Sequence, residues 1–296
     1  MKTRLLASLA AFAAVVVTPA TAAAQEARDI VVEGEAPEEP ATVREAVQTM
    51  AREHGRDVPS TRFFDELCVS VSGLNAAGNA YVAQRILENA AQAGLDGSAD
   101  CSRANALVLV WHDPAGLVER IKDEQPWLLP EQQRNDVDRA IYRGEQVLVW
   151  HNEETYNAGG RPIGFQQNVA GGTQGVHNAL SVETRVNNNG WPRRVDLEFS
   201  RAVISAVIIV DADVVPGMEI DRLADYATMR LMAPDLVPLD EPGSPSSVTS
   251  PFPVAGGPDA MTRFDRAYLE ALYDLAPNAP AIRLAGAVAR AYEGEE

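Results

Sequence analysis

Nine consecutive residues, Ala202-Val-Ile-Ser-Ala-Val-Ile-Ile-Val210, form the most apolar β-type run in the chain. Six of the nine are valine or isoleucine, whose branched Cβ fits a pleated surface better than a helix. Such a run is suited to a central strand, because a water-facing side would expose half of it. A second run, Ala104 to Trp111, has the same character and reads as another buried strand. Any fold for this chain has to bury both.

The stretch ahead of the second run completes a unit. Leu67 to Ser72 alternates as a strand does. Asn75 can cap a helix over 76–93, in which Val82, Ile86, Leu87, Ala90 and Ala93 share one face and Gly94 marks the end. Strand, helix and strand in this order make a β-α-β unit with a crossover helix. Cys68 lies in the first strand and Cys101 just before the second, and the chain has no other cysteine. In an oxidising compartment a lone pair bonds, and a loop of this length gives about 3–4 kcal/mol of stabilisation. The alternative is a reactive or metal-binding thiol pair. It lacks the close C-x-x-C spacing that metal sites use.

Ahead of this unit, Thr42 and Glu45 have capping-box spacing for a helix over 43–54. Asp113-Pro114 starts another, and Pro130 opens one that ends at Gly144. Val147 to Trp150 reads as a short strand, and 153–178 as irregular. Leu180 to Val186 and Val195 to Phe199 flank the turn Asn187-Asn-Asn-Gly190, which predicts an antiparallel hairpin. A helix over 219–232 follows. Seven prolines between Pro234 and Pro258 forbid a helix or central strand there. Thr262 and Asp265 start a helix to about Asp274, and the last helix follows Pro280. The fold class expected is α+β: a mixed sheet with the disulfide-stapled β-α-β unit, a later hairpin and C-terminal helices. Residues 41–296 read as a single domain, with a division near residue 155 as the other possibility.

The first residues are of another kind. Lys2 and Arg4 precede the apolar stretch Leu5 to Val17, and small residues lead to Ala24. This is the three-part layout of a secretory signal peptide over 1–24, too short for a membrane span of about 20 apolar residues. Residues 25–40 hold six acids and two prolines and read as an exposed tether. The expected location is the periplasm or outside the cell, with no transmembrane segment in the mature chain.

The 296 residues carry 42 acids against 25 lysines and arginines, a net charge of −17. That balance argues against a sequence-independent nucleic-acid binder, which needs a basic face to displace counterions. An apolar share of 46% excludes a chain disordered throughout.

Motifs for chemistry are sparse. The four histidines, His54, His112, His151 and His177, include no H-E-x-x-H pair. His151-Asn-Glu-Glu154 places an imidazole beside carboxylates, and reads as a strand-end histidine next to a solvated turn. Gly171-Gly-Thr-Gln-Gly175 lacks the Lys-Ser/Thr of a phosphate loop. No serine stands in a G-x-S-x-G elbow. Within the folded part the most interesting acidic group is Asp211, Asp213, Glu219, Asp221 and Asp225. Oxygen ligands at this density can hold calcium, but the spacing is not that of an EF-hand loop. Acids at a helix N-terminus are also favoured by the helix dipole alone. Helix capping and solvation is the preferred reading, so no metal and no cofactor is expected.

Arg62-Phe-Phe-Asp-Glu-Leu-Cys68, Cys101 with Ala104-Asn-Ala-Leu-Val-Leu-Val110, Leu223-Ala-Asp-Tyr-Ala-Thr-Met-Arg230 and Phe264-Asp-Arg-Ala-Tyr-Leu-Glu-Ala-Leu-Tyr273 resemble segments of a family of uncharacterised exported proteins from Gram-negative bacteria. That resemblance implies export and lends no activity. A remoter one is to secreted zincin-like proteins, whose H-E-x-x-H helix would align with Asp221-Arg-Leu-Ala-Asp225. Both histidines and the glutamate are replaced, so zinc hydrolysis is not implied. The function expected is a non-catalytic binding or envelope-associated role, with an unidentified envelope protein or peptide as partner. The alternative is a hydrolase with dispersed carboxylates or an altered zincin-like site.

Overall fold

The 202–210 run is the core of a strand that touches three others. The computed structural model describes residues 39–99, 101–163, 165–168, 182–185, 197–237, 243–250, 252–253 and 257–294. Residues 1–38, where a signal peptide and most of a tether are expected, and the glycine-rich 171–175 lie outside these. In chain order the first elements are α1 (Pro40–His54), β1 (Thr61–Arg62), β2 (Leu67–Ser72), α2 (Ala76–Gln92), β3 (Gly97–Ser98), β4 (Ala106–Trp111), α3 (Pro114–Glu124) and α4 (Glu131–Tyr142). There follow β5 (Val147–Asn157), β6 (Phe165–Asn168), β7 (Val182–Arg185), β8 (Phe199–Asp211), α5 (Ile220–Met232), α6 (Arg263–Asp274) and α7 (Ile282–Gly294).

β5 runs antiparallel along β8 from Val147 opposite Val210 to Asn157 opposite Phe199. That fills one edge of β8. The other edge is shared by β4, parallel from Ala106 opposite Ala206 to Trp111 opposite Asp211, and by β1 opposite Arg201 and Ala202. Beyond β4 come β2 and then β3, both parallel. The six-stranded sheet is thus parallel except for its β5 edge.

Side chains alternate across it, as the period of two requires. Ala106, Val108, Val110, Ala206, Ile208 and Val210 face one layer, built from α1, α2, α5, α6 and α7. Leu107, Leu109, Leu148, Trp150, Val207 and Ile209 face the other, built from α3 and α4 with Leu128 and Leu129 between them. Helices cover both faces, which is why the two long runs are apolar throughout. This arrangement corrects the α+β expectation toward a layered α/β one.

The stapled unit is as expected: β2 and β4 are parallel, α2 crosses between them, and Cys68 and Cys101 form a disulfide with Cα atoms 5.9 Å apart. Gly73 makes the turn out of β2 with φ +103°, and a Cβ there would stand 1.9 Å from the Val110 carbonyl oxygen. Only glycine lets the two backbones approach so closely.

Three expectations need correction. The hairpin across Asn187–Gly190 is not confirmed; its first strand is present as β7, which pairs antiparallel with β6, and β6 lies in the stretch read as irregular. The turn itself lies outside the described residues. The strand at Val147–Trp150 continues to Asn157, so Thr155, near the suggested division, pairs with Arg201. Its second half is polar because it lies at a sheet edge after a bulge between Asn152 and Glu153. Finally, α1 starts at Pro40 rather than after Thr42, using the fixed φ of proline at its first turn.

Two buried polar groups hold the C-terminal half. Asp265 forms the expected capping box with Thr262 and also accepts from the Ser247 hydroxyl (2.6 Å) and the Val248 N–H (2.8 Å). It thereby ties the proline-rich loop to α6. Burial pushes its carboxyl up, against the pull of these donors. Arg62 donates to the Leu272 and Leu275 carbonyls, closing the C-terminal end of α6 with a cation where the helix dipole is negative. No helix among the described residues is long and apolar enough to cross a membrane.

Candidate functional site

The carboxyl ends of β2, β4 and β8 lie side by side, and the chain leaves them in different directions. After β2 the turn Gly73–Asn75 leads to α2 on the larger layer, with Asn75 Oδ1 accepting from the Gly78 N–H at 2.8 Å. After β4, His112 and Asp113 lead to α3 on the smaller layer, and Asp113 caps it through the Gly116 N–H at 2.9 Å. After β8, a single 3-10 turn over Ala212–Val214 leads to α5, back on the larger layer. Adjacent parallel strands whose connections depart to opposite faces open a crevice at their carboxyl ends, which is where open α/β sheets receive ligands.

What stands at this rim is largely exposed. His112 Nδ1 lies 3.0 Å from Asp213 Oδ1, with the two side chains 83% and 75% exposed. This pair bridges the loops after β4 and β8. Trp111, Tyr81 and Ile220 are 41%, 42% and 38% exposed, large apolar side chains at the end of β4 and near the starts of α2 and α5. The Arg120 guanidinium sits 5.2 Å from the Trp111 ring centroid, a cation–π contact from α3. The Tyr81 hydroxyl donates to Asp221, which raises the phenol's pKa, and Arg85 Nη1 stands 3.5 Å from the other Asp221 oxygen.

The five acids singled out in the sequence do not converge. Asp211 accepts from the Asp213 N–H at 3.0 Å and caps the 3-10 turn. Asp213 meets His112. Glu219 is the residue before α5 and makes no side-chain cap bond. Asp221 is held by Tyr81 and Arg85. Asp225, one turn further along α5 on the same face as Asp221, reaches the same Arg85 and is fully buried. It accepts two bonds from Arg85 (2.7 and 2.8 Å), one from Asn89 Nδ2 (2.8 Å) and one from the Met261 N–H (2.7 Å). These bonds raise the Arg85 pKa further and lock α2, α5 and the approach to α6 together. Among the described residues no group of three or more His, Cys, Asp or Glu side chains could hold a metal ion. Asp225, which would occupy a ligand's place in a zincin helix, has both oxygens engaged.

His151 is not at a strand end. It is buried in the middle of β5, with Nε2 2.8 Å from the Arg230 carbonyl oxygen. Burial, with the Arg230 charge adding to it, lowers its pKa from 6.5 to about 4. It is a neutral structural histidine joining β5 to α5. Sequence reasoning did not single out His112, Trp111 or Tyr81 as rim residues. The signal for Trp111 and His112 was position alone, at and just past the carboxyl end of β4; Tyr81, in the second turn of α2, carried no such signal.

No family model, curated protein or solved structure matches this chain.

Proposed function

We propose that this is an exported, non-catalytic protein of the bacterial cell envelope that receives a partner protein or peptide segment at the carboxyl-end rim of its sheet. The observation that carries the reading is exposed Trp111 at the end of β4, next in sequence to the His112–Asp213 pair that bridges the loops after β4 and β8, with Tyr81 and Ile220 also exposed on α2 and α5. Aromatic anchors beside polar groups are the composition of contact surfaces. The acids Asp113, Asp211, Asp213 and Asp221 favour a basic segment as the guest. The buried ionisable groups Asp225, Asp265 and His151 serve packing. Export is supported by the Lys2–Ala24 layout, the disulfide and the absence of a membrane-length helix among the described residues.

The test has two parts. Expressed in a Gram-negative host, the protein should be recovered from the periplasm with a mass matching a chain that begins at Gln25. A photo-reactive amino acid at Trp111 should form one discrete adduct there, and Asp213→Lys should diminish it about tenfold or more. A full-length mass or the absence of any adduct would overturn the reading. Stoichiometric zinc in protein purified from its compartment would replace it with the hydrolase alternative.

A further inference from the structure

Asp235, in the stretch after α5, and Tyr268, on α6, come together near the start of β1 without a hydrogen bond between them. One Asp235 oxygen, Oδ2, accepts from the Thr61 N–H at 2.8 Å. The other, Oδ1, has Arg201 Nη1 3.8 Å away, beyond hydrogen-bond length. Tyr268 is buried, and the Asp235 side chain is only 13% exposed. Burial raises the phenol's pKa and the Asp235 charge raises it further, with no hydrogen bond among the described residues acting on the hydroxyl. A donor and an acceptor thus stand near each other, each with bonding capacity that the described side chains do not fill.

Both border a cavity of about 10 Å³, which Ser60 also lines, with Val47 of α1 and Leu284 of α7 among its apolar walls. We infer that this cavity holds one buried water molecule, which bridges Tyr268, Asp235 and Ser60 as part of the folded structure.

Size, polarity and bond count agree on this ligand. The volume is about that of one water-sized sphere, the least that admits a water and too little for an organic molecule. A hard cation of the calcium class takes about six to eight oxygen ligands, whereas the polar side chains here are Ser60, Asp235 and Tyr268. A water needs about three partners, and the site supplies them. The Tyr268 O–H donates to the water, which donates one hydrogen to Asp235 Oδ1 and the other to the Ser60 hydroxyl oxygen. Leaving a buried hydroxyl and a carboxylate oxygen unpaired costs more than immobilising one water. The bridge joins α6 to the end of α5 and, through the Asp235–Thr61 bond, to β1. It lies where α1 and α7 pack over those elements.

The experiment is a water-selective NOE measurement on the protein in solution, paired with a crystal structure that resolves ordered water. An NOE from water is expected at the Thr61 amide and at the Tyr268 ring protons, with the sign of a molecule that tumbles with the protein. Tyr268→Phe removes the donor while keeping the ring, and the NOE at Thr61 should be lost. Unchanged amide shifts away from the cavity show that the variant folds. In the crystal one water should lie within hydrogen-bond distance of both Tyr268 Oη and Asp235 Oδ1, a result that needs no variant. A direct Tyr268–Asp235 hydrogen bond with no water, an absent NOE in the native protein, or an undiminished NOE in Tyr268→Phe would overturn the inference.

Discussion

Acid should unfold this protein in a way that one histidine controls. His151 has a pKa of about 4 in the folded chain against 6.5 when exposed, because burial and the Arg230 charge oppose its cation. A group with a lowered folded pKa binds fewer protons folded than unfolded between the two values. Its stability contribution is therefore fully present above 6.5 and is lost as pH falls toward 4. The gap corresponds to about 3 kcal/mol, or about 1.4 kcal/mol per pH unit within the window. Other groups titrate in the same range, so the comparison must be with a variant that keeps the hydrogen bond but not the proton. His151→Gln retains an N–H for the Arg230 carbonyl. Urea unfolding followed by tryptophan fluorescence suits the purpose, since Trp150 is buried beside His151 and donates to the Leu128 carbonyl at 2.8 Å. Between pH 7.5 and 4.5 the native chain should lose more stability than the variant by about 2–3 kcal/mol. Parallel pH curves for the two proteins would refute the argument, as would an NMR titration of His151 with a midpoint near 6.5.

Three further outcomes follow from the described contacts. Asp225→Ala leaves the Arg85 guanidinium with Asp221 as its carboxylate partner and frees Asn89 and Met261, so urea unfolding should register a loss of about 2–4 kcal/mol; the Arg85→Ala, Asp225→Ala double variant should lose less than the two single losses added together. Gly73→Ala forces a side chain into a left-handed conformation and against the Val110 carbonyl, and thermal unfolding should show a loss of about 1–3 kcal/mol from the backbone alone, with more from displacement of β4. The unreduced, denatured protein should present no free thiol to a thiol reagent, and reduction should cost about 2–5 kcal/mol of stability through the 33-residue separation of Cys68 and Cys101.

Local signals in the sequence proved the most durable. The caps at Asn75, Asp113 and Thr262 each set a helix start, because a side-chain oxygen must meet an N–H two or three residues on, whatever the tertiary fold. The apolar runs of β4 and β8 were legible for a similar reason, since nothing but burial tolerates them. Partnership was not legible. That β8 pairs with β4, β1 and β5 at once depends on contacts across large sequence separations, and the polar half of β5 carries no strand pattern. β7 lies within the strand expected over Leu180–Val186, yet its partner β6, Phe165–Asn168, carries no strand pattern. Asp225 looked like one of five equivalent acids. Its burial follows from Arg85 and Asn89 on α2, a turn apart and facing α5, which the sequence of α5 alone cannot reveal.

The acidity of the rim has two sources, and they can be separated. α2, α3 and α5 all begin at the carboxyl ends of the strands, so three helix dipoles direct their positive ends there. Asp113 and Asp221, in or next to first turns, are favoured by that field and by their own bonds whether or not anything binds. Neither the fold nor capping calls for Trp111 to be 41% exposed, or for His112 to reach across to Asp213 with both groups in water. An exposed ion pair contributes at most about 1 kcal/mol, and an exposed indole contributes little to the core. Stability would be served as well by smaller polar residues at both positions. If the rim were only a set of helix caps, Trp111→Ser and His112→Ser would leave no association to lose. If it receives a partner, those two substitutions should abolish the association, and His112→Ser should do so while thermal unfolding stays within about 0.5 kcal/mol of the native chain.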